Sequence, residues 1–131
     1  MYKIIVLTLL TITLFSCDPL VQMEAKIVNL TTKSLSLDFV SWDSSYSQIL
    51  QTDPSQTVLF DLYDGYGTYA EPDLARYDSV LIKSQADEIL ELYKPNDTGK
   101  NIYNIDDYWS VSKHPGRFFK FEYEIQSEDI D

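Results

Sequence analysis

The chain has 131 residues, is 44% hydrophobic and 14% aromatic, and carries a formal net charge of −11 from 21 acidic against 10 basic residues. That length holds one domain, and the apolar share is large enough to build a core, which argues against a disordered acidic chain. The charge disfavours nucleic acid and anionic headgroups as partners, since both call for a stripe of Lys and Arg, and a single cysteine leaves no intramolecular disulfide framework.

Lys3 precedes an apolar run from Ile4 to Leu14 that ends in Leu14-Phe15-Ser16-Cys17. The run is too short for a membrane span, is interrupted by Thr8, Thr11 and Thr13, and is followed by no basic cluster. It reads as a processing segment, and its ending resembles a bacterial lipoprotein signal. The resemblance implies cleavage before Cys17, a diacylglyceryl group on the Cys17 thiol and a further acyl chain, such as palmitate, on the new amino group. Two or three chains, each contributing about 0.8 kcal/mol per buried methylene, hold stably without a second membrane signal. The expected organisation is a signal over residues 1–16, a lipidated tether over 17–24 and a single β-rich domain over 25–131. Without its signal the chain keeps nine basic and 21 acidic residues, a formal charge of −12.

Pro19 and the lack of a clear period mark the tether. Ala25 to Leu30 and the alternating Leu35-Ser36-Leu37-Asp38-Phe39 are expected to pair as a hairpin, with Leu35, Leu37 and Phe39 on one face. Ser41 to Ser47 and Asp53-Pro54-Ser55 are turns, and Thr57 to Leu62 is a strand. From Tyr63 to Tyr77 the chain is rich in breakers and reads as the longest loop. Asp78–Lys83 and Glu88–Tyr93 form a hairpin closing near Gln85-Ala86-Asp87, with Val80, Ile82, Ile89 and Leu92 as core candidates. Asn104 is placed to cap one helical turn over Ile105–Trp109. In the last strand, Phe119, Phe121, Tyr123 and Ile125 share one face and Lys120, Glu122 and Glu124 the other. Acidic Ser127 to Asp131 reads as a frayed end. The fold class is mainly β, a compact antiparallel β-sandwich or barrel-like sheet with at most a short helix near Asp106–Trp109.

The signal, together with Gly65-Tyr66-Gly67, Tyr77-Asp78-Ser79-Val80-Leu81-Ile82 and Phe119-Lys120-Phe121-Glu122-Tyr123-Glu124-Ile125-Gln126-Ser127-Glu128-Asp129, resembles a group of small lipoproteins of the Bacteroidetes. The group implies no activity. It implies a lipid anchor in the cell envelope; the expected place is the outer membrane facing the periplasm, with surface display as one alternative and inner-membrane retention, which an Asp directly after the cysteine signals in some other bacteria, as another. An export signal for surface display would be an acidic cluster after the cysteine, whereas Asp18 is followed by Pro19, Leu20, Val21 and Gln22.

No catalytic constellation stands out. His114, the single histidine, lies in the turn-like Ser112-Lys113-His114-Pro115-Gly116, and no nucleophile-elbow sequence accompanies it. Zinc lacks ligands, since Cys17 is committed to lipid, and no cofactor is expected. Asp61, Asp64, Glu71, Asp73 and Asp78 flank the long loop and are weak calcium candidates, with a spacing that matches no established loop motif. Tyr63, Tyr66, Tyr69 and Tyr77 form a candidate binding loop, because tyrosine offers a flat ring and a hydroxyl at low entropic cost; the competing expectation packs these rings onto the core. Asn29-Leu30-Thr31 and Asn96-Asp97-Thr98 are expected to form turns. The expected function is that of a membrane-anchored envelope lipoprotein with a non-enzymatic binding or structural domain for an envelope protein or glycan. A glycan-acting enzyme and an acidic inhibitor or immunity-type protein are the alternatives.

Overall fold

Apolar and polar residues alternate along eight strands and build two layers. The computed structural model describes residues 19–131, so the signal, Cys17 and Asp18 lie outside the described residues. One sheet contains β1 (Leu20–Asn29), β4 (Thr57–Tyr66), β7 (Trp109–His114) and β8 (Phe118–Ile125) in the order β4-β1-β8-β7. The other contains β2 (Leu35–Val40), β3 (Gln48–Thr52), β5 (Ser79–Ser84) and β6 (Ile89–Tyr93) in the order β3-β2-β5-β6. The mainly β sandwich is therefore as expected. Its neighbours pair antiparallel with one exception: the first strand and the last, β1 and β8, run parallel.

The inward rows are Val21, Met23, Ala25 and Ile27 on β1, Leu35, Leu37 and Phe39 on β2, Val80 and Ile82 on β5, and Phe119, Phe121, Tyr123 and Ile125 on β8. An aromatic chain links the layers: Phe39 stacks on Phe60 with centroids 4.6 Å apart, Phe60 lies 6.1 Å from Trp109, and Trp109 lies 5.4 Å from Tyr123. The polar atoms of these rings are also served. Trp109 Nε1 donates to the Ile102 carbonyl at 2.7 Å, and the Tyr123 hydroxyl donates to that of Tyr93 at 3.2 Å.

Several sequence expectations change. Strand β1 already begins at Leu20, so the expected tether over 17–24 is mostly strand, its inward Val21 and Met23 fully part of the core. The expected hairpin of 25–30 with 35–39 does not form, because β1 and β2 belong to different sheets. Asn29 is the reason. Fully buried, it donates to the Lys33 and Thr52 carbonyls at 2.8 and 3.3 Å and accepts from the Thr31 N–H at 3.0 Å, so the segment crosses between layers around its side chain. On β6, Leu92 pairs with Leu81 and faces outward while Tyr93, opposite Val80, packs inward; beyond them a bulge between Ile82 and Lys83 turns Ile89 outward and leaves Leu90 packed on the core. The single turn α1 (Ile105–Tyr108) forms, yet the Asn104 side chain bonds Asp107 at 2.6 Å and makes no cap. The C-terminal segment is docked: Ser127–Asp129 is a 3-10 turn, Ile130 is buried, and the Asp129 carboxylate accepts from the Gln126 N–H at 2.7 Å and pairs with Lys100.

Candidate functional site

The segment from Tyr63 to Tyr77 divides into strand and loop. Residues 63–66 complete β4, whose register slips at Phe60: Leu59 pairs with Lys26 and Asp61 with Ala25. The extra residue of a bulge reverses which face each later side chain takes. Beyond it, Asp61, Tyr63 and Gly65 share the face of Ala25, Met23 and Val21, while Leu62, Asp64 and Tyr66 point outward with Glu24, Gln22 and Leu20.

The four tyrosines consequently form no single surface. Tyr77 is a core ring, edge-on to Phe39 at 5.2 Å, with its hydroxyl accepting from Gln48 Nε2 at 2.9 Å and its carbonyl accepting from the Tyr103 hydroxyl at 3.2 Å. Burial raises its pKa above the usual 10. Tyr69 is half exposed and folds over the inner face, edge-on to Phe119 at 5.0 Å. Its hydroxyl donates to Glu71 at 3.2 Å, and burial first, then the Glu71 charge, raise its pKa. The Tyr63 ring lies along its own strand over Gly65, where any side chain would collide with it. Tyr66 is 71% exposed on the opposite, outer face.

The carboxylates divide along the same line. Asp61 accepts from the Leu62 N–H at 2.9 Å and the Asp73 N–H at 3.1 Å, and Asp73 pairs with Arg76 at 2.6 Å, which raises the Arg76 pKa through that hydrogen bond. The loop is thus clasped to β4. Asp64 lies on the other face and cannot join Asp61 around one ion. Among the described residues no group of three or more His, Cys, Asp or Glu converges to hold a metal. What the bulge and clasp create is an open depression of about 350 Å³, lined by Asp61, Tyr63, Tyr69, Glu71, Asp73 and Arg76. It offers ring faces, acceptors and one guanidinium, a set suited to holding a hydroxyl-rich or mixed polar ligand.

His114 ends β7, where its ring faces Phe118 at 6.0 Å and its Nε2 lies 3.1 Å from the Ser112 hydroxyl. Around it lies a feature that the overall acidity conceals. Residues 108–121 contain Lys113, Arg117 and Lys120 and no acid, a third of the nine basic residues after Cys17. The signal was present in the charge pattern rather than in any total. Lys113 and Lys120 lie over the rings of Phe119 and Phe118 at 5.8 and 5.2 Å. Comparison with protein-family models, curated proteins and solved structures returns no match to this chain.

Proposed function

We propose that this is an envelope lipoprotein, cut before Cys17, acylated there and held at the outer membrane on its periplasmic side, whose β-sandwich is a non-catalytic binding module. The observation that carries the reading is Lys3 and the Ile4–Leu14 run closing on Leu14-Phe15-Ser16-Cys17. For the binding role, the support is the depression at Tyr63 and Tyr69: its acids Asp61 and Asp73 are engaged in clasping the loop, which suits positioning a ligand more than proton transfer. An envelope glycan matches its rings and acceptors. Metabolic labelling with a fatty acid tests the anchor: wild type should incorporate label and Cys17→Ser should not, and equal incorporation would overturn the assignment. Sedimentation with purified cell-wall glycan tests the module. Tyr69→Ala should weaken that binding more than tenfold, and unchanged binding moves the ligand elsewhere.

A further inference from the structure

We propose that the corner of sheet β4-β1-β8-β7 formed by Leu20, Tyr66 and Phe118, with Arg117 and Lys120 beside it, is a docking surface for the anionic face of a phospholipid bilayer. This rests on lipidation at Cys17. Four strand ends meet at the corner. Leu20 pairs with Tyr66, the Gly67 N–H donates to the Pro19 carbonyl at 2.8 Å, Gln22 pairs with Phe118, and the Gln22 N–H donates to the Arg117 carbonyl at 3.0 Å. The β7–β8 turn, with Gly116 at φ +81° and Arg117 at φ +56°, therefore lies beside the start of β1.

Three features converge there. Leu20 is 59% exposed, Tyr66 71% and the outward Leu62 62%, an apolar cluster that no element among the described residues covers. The acid-free 108–121 stretch delivers Arg117 and the outward Lys120 to the same corner, in a chain whose remainder is strongly acidic, while Lys113 stands opposite the inward Phe119. Against them stand Asp64, across from Gln22, and Glu24, which is already paired with Lys26 at 2.8 Å. The third is reach. From Cys17 to Leu20 is three residues, at most about 10 Å of chain, so acyl chains on Cys17 hold Leu20 within that distance of the headgroups. A tyrosine, apolar side chains and flanking Lys and Arg suit that interfacial depth, and attachment makes contact intramolecular.

The full lipidated protein, reconstituted into phosphatidylethanolamine and phosphatidylglycerol vesicles, is treated with a water-soluble lysine-acylating reagent. The lipid-free chain of residues 19–131, which holds both sheets and every described core residue, gives the reference. Flotation and the mass of the Cys17 peptide report the anchor separately. Lys120 labelling relative to Lys33, which lies at the opposite end of β1 beside Asn29, should fall at least fivefold on vesicles, Lys120 standing opposite the outward Glu24 on the docking face. Leu20→Ser with Tyr66→Ser should restore it while the protein still floats. A floating, lipidated protein whose Lys120 labels as in the reference overturns the docking and leaves the anchor standing. Protection that appears only on adding envelope proteins overturns it in favour of a protein partner. A chain without lipid that fails to float overturns both.

Discussion

The two ends of β1 are built to different standards. At the Asn29 end, the buried amide reaches the Thr52 carbonyl and Lys100 pairs with Asp129, so hydrogen bonds between separate parts of the chain join both sheets and hold the C-terminal turn, with Thr31 completing the Asn29 side chain locally. At the Leu20 end, β1 is held by its backbone ladders while large side chains stand in the open. A buried polar group must be satisfied, so the first end tolerates little change; an exposed one need not be, so the second is free to serve a surface.

The common core bounds the comparison from above. Phe121 serves both ends, and Phe121→Ala should cost about 3 to 5 kcal/mol in denaturant melts, while its outward neighbour Glu122→Ala stays within about 0.5 kcal/mol. Equal effects would break the two-face account of β8. At the Asn29 end, Asn29→Ala strips partners from the Thr31 N–H and the Thr52 carbonyl, and should cost about 2 kcal/mol; a neutral result would remove the distinction between the ends.

Alkali tests the interior between them. Burial raises the Tyr123 hydroxyl and pushes Tyr93 up to about 12 from the usual 10. The folded state keeps protons that the unfolded state surrenders, so stability is complete below pH 10 and is lost as pH rises from 10 through about 12. Melts across that range should show the decline, and Tyr123→Phe should make it shallower. A flat profile would mean that water reaches both hydroxyls. Smallest of all, Tyr66→Ser at the Leu20 end should move the free domain's stability by less than about 0.5 kcal/mol.

Legibility followed burial. The last strand could be read residue by residue because β8 has sheet neighbours on both sides and one face in the core, which enforces strict alternation. The same alternation was present from Val21 to Ile27, where Pro19 invited a tether instead. Edge strands left less trace: β7 buries only Trp109, and β3 only Thr52, so the end of β7, Ser112 to His114, reads as part of a turn running to Gly116. At the candidate loop, spacing grouped the four tyrosines, but one bulge at Phe60 decided which faced in and which out. A bulge has no side-chain pattern of its own. The C-terminal acids suggested fraying, and the lone apolar Ile130 among them was the cue to docking.

The parallel pairing of β1 with β8 also imposes an order of events. Because β1 is an interior strand, its backbone groups facing Phe118–Ile125 have no ladder partner until nearly the whole chain is available. For a polypeptide delivered to its folding compartment N-terminus first, the sheet cannot close early. The sequence separation of these contacts makes closure slow, so the edge of β1 that β8 covers stays open, and burial waits, until that strand is available.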